Sequence, residues 1–299
     1  MRERPAGLVV LLLVTAAASA AACSIDMPTA PSTSSPTSAD LCPSTTPRAI
    51  TPAFGQGDGL ADKKLALTFD DGPSEVTSEL SAYLESEGVK ATFFVNGAYI
   101  AGREDVLRQV VADGHLVGNH TQTHAALTTL SPAGVVEEVS LTDALIAEYV
   151  SPEKLFFRPP FGDWSDEVSQ ALSKSAMNKY SGPIGWDIGD HLGPNTAADW
   201  DCWDENNGTR TVAECGALYL EETEAKGRGI VLLHDGPPEG NGAKTLAMVR
   251  DIVPKLKAAG YTFARVDEAF AVGATGGSPS GTSSGAGSGE AAADPCQRR

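Results

Sequence analysis

A regular alternation of two kinds of segment, between about residues 62 and 270, limits the folds open to this chain more than any other feature. Short runs rich in apolar and β-branched residues alternate with longer stretches in which apolar residues recur at helical spacing. Such alternation with short spacers favours parallel strands that are buried on both faces. The pattern predicts an α/β fold, either a barrel or a doubly wound sheet. The predicted strands are KLALTF (64–69), ATFFVN (91–96), HLVGN (115–119), LFFR (155–158), PIGWDI (183–188), GIVLLH (229–234) and YTFARV (261–266).

Two partner classes are disfavoured by the sequence. The chain has 22 Lys and Arg against 39 Asp and Glu, and no basic run of the kind that binds nucleic acid, so we expect no nucleic-acid partner. The motif G-x-G-x-x-G does not follow the first predicted strand, so nothing favours a dinucleotide-binding sheet.

The first 23 residues are typical of an export signal. Arg2 and Arg4 precede an apolar run, and small residues then lead to Cys23. The sequence AAAC (20–23) resembles the lipobox of bacterial lipoproteins, in which the cysteine carries the lipid anchor. Simple cleavage within the preceding Ala-Ser-Ala-Ala is the alternative. We therefore expect a lipid-anchored protein of the bacterial cell envelope or an extracellular one.

Composition divides the remaining chain into three parts. Residues 24–61 are Ser/Thr/Pro-rich and predicted to be a tether, 62–270 form the folded domain, and 271–299 form a Gly/Ser-rich tail. Without Cys23, four cysteines remain in a chain that we expect to be exported to an oxidising compartment. We predict the disulfides Cys202–Cys215 and Cys42–Cys296.

Polar side chains follow the predicted strands at their carboxyl ends. In a β/α barrel these ends meet on one face, where catalytic side chains are found. Two histidines four residues apart, together with a carboxylate, suit Zn²⁺ with an open position for water. Read alone, Asp-Asp-Gly-Pro also suits an ordinary turn into a helix. The polar residues are Asp70 and Asp71, His120 and His124, Arg158, Asp187 and Asp190, and His234 and Asp235.

Four short motifs resemble, in order, four of the five motifs of the NodB-homology polysaccharide deacetylases, carbohydrate esterase family 4. They are TFDDGP (68–73), HTQTH (120–124), RPPFG (158–162) and IVLLHD (230–235). The resemblance covers about residues 62–270 and implies a distorted β/α barrel of about seven parallel strands. It also implies a metal-dependent hydrolase that removes acetyl groups from an N-acetylated glycan such as peptidoglycan, chitin or a related envelope polysaccharide.

The resemblance assigns roles by position. Asp71, His120 and His124 match the metal ligands, with Zn²⁺ as the first expectation and Co²⁺, Ni²⁺ or Mn²⁺ as alternatives. Asp70 matches the catalytic base, Arg158 the residue that orients it, and His234 the catalytic acid. The backbone N–H of Phe161 is expected to stabilise the oxyanion, and Phe161 is also expected to contact the substrate.

The fourth motif departs from the family pattern. The family has an Asp-Trp pair soon after the fifth strand, whereas here Asp199-Trp200 follows an expanded loop. Asp187, Asp190 and Asp199 are all candidates to support His234. We favour Asp199, with Trp200 as a substrate contact, because a Cys202–Cys215 disulfide would anchor this loop beside the site.

Two other functions remain as alternatives. The same family includes O-acetyl esterases that act on xylan. A non-catalytic glycan-binding module is less favoured, because such a chain would be expected to lose the base, the acid or a metal ligand, and here all of them are present.

Overall fold

Seven strands and eight helices lie in the residues that the structure, a computed structural model, describes: 50–189, 197–204, 210–237 and 241–271. The strands are β1 (Ile50–Gly55), β2 (Lys64–Gly72), β3 (Thr92–Val95), β4 (Leu116–Asn119), β5 (Gly182–Ile184), β6 (Gly229–His234) and β7 (Thr262–Ala264). The helices are α1 (Thr77–Ser86), α2 (Glu104–Ala112), α3 (Pro132–Ile146), α4 (Asp166–Ser173), α5 (Asp199–Cys202), α6 (Val212–Lys226), α7 (Gly242–Ala258) and α8 (Val266–Ala271).

The strands are parallel and form a distorted barrel. The central order is β4-β3-β2-β6, and β7 pairs with the beginning of β2. Three isolated bridges, Asn119–Phe157, Phe156–Ser181 and Ile188–Val231, continue the ring from β4 past β5 to β6. The predicted α/β barrel with about seven parallel strands is therefore confirmed, with its weakest pairing between β4 and β6.

Strand β2 lies at the centre of the sheet, where it pairs with β3, β6 and β7. Every residue from Leu65 to Phe69 is fully buried, as expected for a central strand. Leu65, Leu67 and Phe69 pack with the surrounding helices, whereas Ala66 belongs to the cluster inside the barrel. Side chains alternate between the faces of a strand, so Asp70 continues the inward-facing row of Ala66 and Thr68. The periodicity of β2 thus directs Asp70 into the barrel.

The structure corrects two predictions, the end of the tether and the strand at residues 155–158. The tether predicted over 24–61 is wrong for its last part, because β1 pairs with β5 and a 3₁₀ turn follows at Gly57–Gly59. Four of the six β1 residues are exposed, so the strand lacks the apolar run that would have revealed it. LFFR (155–158) makes only isolated bridges and is not a continuous strand.

The disulfide Cys202–Cys215 is present, as predicted, and joins α5 to α6. Helix α6 begins with a capping box in which the side chains and backbones of Thr211 and Glu214 bond reciprocally. The prediction Cys42–Cys296 falls outside the residues described.

In the part of the chain that could be searched, no helix has the length and apolar character needed to cross a membrane.

Candidate active site

A cavity of about 460 Å³ opens at the carboxyl ends of the central strands. Residues predicted from separate parts of the sequence meet there, including both aspartates of β2, both histidines of the HTQTH loop and His234. The cavity is lined by Asp70, Asp71, His120, His124, Pro159, Phe161, Trp186, Trp200, Leu232 and His234.

Asp70 is held by a buried arginine. Arg158 Nη1 donates to Asp70 Oδ1 (2.7 Å) and to the Thr68 hydroxyl (2.8 Å). The other guanidinium nitrogens donate to the carbonyl oxygens of Ile184 and Gly185, so Arg158 has a single fixed orientation. Burial raises the pKa of Asp70, and the positive charge of Arg158 opposes that rise. A carboxylate with a raised pKa suits a general base.

Asp71, His120 and His124 form a second group, here called the cation site. Their ligand atoms all lie within 4.8 Å of one another, and His124 Nε2 is 3.1 Å from Asp71 Oδ1. Both carboxylate oxygens of Asp71 are buried and neither accepts a hydrogen bond. Burial raises the pKa of Asp71 well above its usual range. Such a carboxylate is costly to bury without a cation, so the cation site fits a divalent metal.

The imidazoles of the cation site are suited to metal binding. The Arg158 carbonyl oxygen can only accept, so His120 Nδ1–H donates to it (2.8 Å) and the lone pair of Nε2 faces Asp71. Burial lowers the pKa of His120 to about 3 and that of His124 to about 3. Both rings are therefore neutral, as a metal ligand requires.

Unusual backbone conformations aim these side chains. Five non-glycine residues in the described ranges have positive φ, and four of them lie at this site: Asp71 (71°), Thr121 (68°), His124 (60°) and Phe161 (58°). This conformation is costly for residues other than glycine and is concentrated at functional sites. It turns Asp71 away from the alternation of β2 and toward the histidines.

Three residues that the sequence did not single out support the HTQTH loop. Asn96 Nδ2 donates to the His120 carbonyl (2.6 Å), and Asn119 Oδ1 accepts from the Thr121 amide (2.9 Å). Glu138 accepts from the backbone of residues 122 and 123. Asn96 and Asn119 end two predicted strands, which was a usable signal, whereas Glu138 lies within a helix and gave none.

His234 and Asp199 form a third group, here called the acid pair. His234 Nδ1–H donates to Asp199 Oδ1 (2.8 Å), and Asp199 Oδ2 accepts from the His234 amide (2.8 Å). Burial opposes the charged imidazolium, but the carboxylates of Asp199, Asp71 and Asp70, with Asp199 the strongest, together raise the pKa of His234 to about 9. Protonated at neutral pH, His234 can donate a proton from Nε2.

Asp199, rather than Asp187, is the carboxylate that contacts His234. Asp187 accepts from the amides of Gly57 (2.9 Å) and Ile230 (2.7 Å), near the amino end of β6. Asp190, the third candidate, lies outside the described residues.

Two further residues that sequence reasoning missed hold the acid pair. The Thr245 hydroxyl donates to Asp199 Oδ2 (3.0 Å) from α7. The Tyr219 hydroxyl accepts from the Asp199 amide (3.0 Å) and donates to the Leu232 carbonyl (3.0 Å). Cys215 precedes Tyr219 by one helical turn, so the disulfide fixes α5 beside the helix that positions it.

Two aromatic side chains border the cavity. The Phe161 ring is 64% exposed and its centroid is 4.4 Å from that of His124. Trp200 follows Asp199 directly in α5 and also lines the cavity. The site thus combines a carboxylate base, a cation site, a protonated imidazole and exposed aromatic surface.

Comparisons with known proteins identify similar sequences and structures. The chain matches the family described as Polysaccharide deacetylase over residues 57–179. It is 32% identical over 214 residues to a chitooligosaccharide deacetylase of Rhizobium leguminosarum bv. trifolii, covering 68% of this chain and 90% of that protein. It is 31% identical over 209 residues to a peptidoglycan-N-acetylglucosamine deacetylase of Bacillus cereus, covering 69% of this chain and 88% of that protein. Among solved structures, it resembles a family 4 acetyl xylan esterase from Clostridium thermocellum in complex with a cobalt ion, with a TM-score of 0.53 and 28% identity over 69% of this chain and 90% of that one.

Proposed function

Since the chain belongs to the polysaccharide deacetylase family, we propose that it hydrolyses the acetamide of N-acetylated sugars in a glycan, releasing acetate. The substrate class proposed is peptidoglycan, chitin-like chains or a related envelope polysaccharide. The observation that carries the proposal is the joint presence, in one cavity, of the Arg158-bound Asp70, the cation site and the acid pair. Each supplies one requirement of amide hydrolysis.

The cation site is proposed to hold a divalent metal, with Zn²⁺ as the first choice and Co²⁺, Ni²⁺ or Mn²⁺ as alternatives. Two neutral imidazoles and one carboxylate are a common ligand set for these ions. When bound, such an ion acts as a Lewis acid and lowers the pKa of water from 15.7 toward about 7.

Asp70 is proposed to take a proton from the attacking water. Its carboxylate is buried, aimed by Arg158, and 3.7 Å from His120 Nε2, so it lies beside the cation site. The guanidinium fixes one oxygen and leaves Oδ2 for the proton. Asp70 and Asp71 thus have separate duties although they are adjacent in sequence.

His234 is proposed to protonate the departing amine. An amine is a poor leaving group until it carries a proton, and the Asp199 carboxylate keeps His234 charged. The Phe161 N–H is proposed to donate to the carbonyl oxygen as negative charge develops there. Trp200 and Phe161 border the cavity where the sugar would lie.

The test is acetate release from chitin oligosaccharides, peptidoglycan and acetylated xylan, measured on protein that has been stripped with a chelator and reloaded with each candidate ion. We expect release from the N-acetylated glycans, loss on stripping, and recovery on reloading. Protein that contains metal but releases no acetate from any N-acetylated glycan would contradict the proposal.

O-acetyl esterase activity is the second candidate. It is favoured by the likeness to the acetyl xylan esterase. His234 can protonate a departing sugar alkoxide as well as a departing amine, so its charge does not separate the two reactions. The amide is put first because the similar proteins include chitooligosaccharide and peptidoglycan deacetylases. Acetate release from acetylated xylan that exceeds release from every N-acetylated glycan would reverse this order.

We also propose that the protein works outside the cytoplasm, as the export signal and lipobox-like sequence of residues 1–23 suggest. The Cys202–Cys215 disulfide is consistent with an oxidising compartment. Lipid anchoring at Cys23 is tested by mass spectrometry of the mature N-terminus.

A further inference from the structure

We propose that strand β1 completes a second sugar-binding position next to the catalytic cavity, here called the aromatic subsite and formed by Phe54, Phe161 and Trp186. Its occupant is the neighbouring sugar of the same glycan chain whose acetyl group enters the catalytic cavity. The proposal rests on the proposed function for the identity of that chain.

The aromatic subsite is continuous with the catalytic cavity. It has a volume of about 240 Å³, smaller than the cavities that hold drug-sized ligands, and therefore suits a single ring. Phe161 and Trp186 line both spaces, so a glycan can extend from one to the other without leaving the protein surface. The lining residues are Phe54, Gln56, Phe161, Gly162, Gly185 and Trp186.

The exposure of the rings points to a ligand. Phe161 is 64% exposed and Phe54 is 37% exposed, and they are the two phenylalanines that stand out as exposed among the residues described. Phe54 and Trp186 lie with their ring centroids 6.5 Å apart and their planes tilted by 59°. Clustered exposed aromatic surface beside an active site indicates recognition rather than chance, because single exposed apolar residues are usually scattered.

Glycines keep the aromatic subsite open. A Cβ at Gly162 would lie 3.0 Å from the Trp186 ring, and one at Gly185 would lie 3.2 Å from the Cβ of Phe54. Gly162 also has a φ of 62°, a conformation that favours glycine. The backbone therefore approaches Trp186 and Phe54 closely, and a larger residue at either glycine would crowd the aromatic subsite.

The chemistry of the aromatic subsite matches a sugar. The faces of a pyranose ring carry C–H groups that pack on aromatic rings, while its hydroxyls need polar partners at the edge. Gln56, whose Nε2 donates to the Trp186 carbonyl (3.3 Å), provides an amide at that edge. Beyond it, a polar cavity of about 440 Å³ shares Gln56 and Trp186 and includes Asp58, Lys226 and Arg228.

The test compares kcat/KM for acetate release between the monosaccharide N-acetylglucosamine, which occupies only the catalytic cavity, and the chitin tetrasaccharide, which also reaches the aromatic subsite. Phe54→Ala removes a ring that has no part in the acid–base chemistry. We expect the tetrasaccharide-to-monosaccharide ratio of kcat/KM to fall about fivefold to tenfold, mainly through KM of the longer substrate. Phe54→Tyr keeps the ring and should keep the ratio.

Leu141→Ala is the matched control. Leu141 is also an exposed apolar side chain (47% exposed), but it lies on α3 and lines none of these cavities. The kcat/KM ratio of the Leu141→Ala protein should equal that of the unmodified protein. Thermal unfolding of each variant establishes that it is folded. A folded Phe54→Ala protein with an unchanged ratio would overturn the aromatic subsite.

Failure of the proposed function is distinguishable from failure of the aromatic subsite. If the unmodified protein releases no acetate, the proposed function fails, and tetrasaccharide binding is then followed by tryptophan fluorescence. Weaker binding by Phe54→Ala than by Leu141→Ala would support the aromatic subsite, whereas equal binding would overturn it.

Discussion

The cation site and the acid pair are built differently. The cation site takes its three ligands from the end of β2 and from one short loop after β4, and positive φ angles aim two of them. The acid pair joins β6 to the four-residue helix α5; the Asp199 carboxylate accepts from Thr245 of α7, and the Asp199 amide donates to the Tyr219 hydroxyl of α6. One group depends on local backbone geometry, and the other depends on contacts between distant segments.

The two groups also differ in charge compensation. Asp199 accepts hydrogen bonds on both oxygens and faces a histidine whose pKa is raised to about 9. Asp71 is equally buried but its oxygens accept none. The carboxylate of the acid pair is therefore satisfied within the protein, whereas the buried carboxylate of the cation site lacks a hydrogen-bond donor and fits a bound cation. This difference separates the expected effects of substitutions in the two groups.

The largest effect is expected from His120→Ala in the cation site. Losing one of three ligands should abolish tight metal binding and lower acetate release by about a thousandfold or more. Metal content by elemental analysis, measured beside activity, checks both losses. Retention of a full equivalent of metal by His120→Ala would show that the cation site is wrongly assigned.

In the acid pair, His234→Ala should leave metal content unchanged. Acetate release from an N-acetylated oligosaccharide should fall about 10²–10⁴-fold, the usual contribution of a general acid. An activated aryl acetate, whose leaving group needs no proton, should lose much less. Equal losses on the two substrates would argue against the acid role.

A smaller effect is expected from Asp199→Asn, which preserves shape and removes the charge. In the unmodified protein, kcat/KM should fall as pH rises through about 9, because His234 then loses its proton. Burial lowers the pKa of His234, and Asp199 opposes it more strongly than Asp71 and Asp70 do, so removing the Asp199 charge should lower that pKa. The alkaline fall in kcat/KM should then move to lower pH. A pH profile that does not move would remove Asp199 from this role.

The smallest catalytic effect is expected from replacing both Cys202 and Cys215 with serine. The disulfide closes a loop between positions separated by 13 in sequence, and its loss should cost about 2–4 kcal/mol of unfolding free energy. Because it fixes α5, turnover should fall several-fold while metal content stays constant. Denaturant unfolding and acetate release measure the two. Loss of metal with intact turnover would contradict the separation between the cation site and the acid pair.

The same difference explains what the sequence revealed of the site. Asp70-Asp71 and His120-X₃-His124 are short patterns whose spacing carries the geometry. The partner of His234 was not determined by spacing, because Asp187, Asp190 and Asp199 all follow the fifth strand, and only the folded chain brings Asp199 to the imidazole. Thr245 and Tyr219 gave no signal, because one hydroxyl in an amphipathic helix resembles any other.

The strands can be predicted from the sequence where burial on both faces requires a continuous run of apolar residues. β2 and β6 are nearly all buried and appear as continuous apolar runs. β1 is mostly exposed and is held by backbone pairing with β5, so its sequence does not need a continuous apolar run. The sequence predicts a tether there for this reason, although β1 carries Phe54 to the aromatic subsite.

The proposed mechanism gives the two adjacent aspartates separate roles: Asp71 binds the metal and Asp70 accepts the proton. Its most direct test is metal content and acetate release measured together for Asp70→Asn and Asp71→Asn, each nearly isosteric with the residue it replaces. We expect Asp70→Asn to keep its metal and lose turnover about 10²–10⁴-fold. Asp71→Asn should lose both. Full turnover in Asp70→Asn, or metal loss to the same extent in both variants, would contradict the separate roles of the two aspartates.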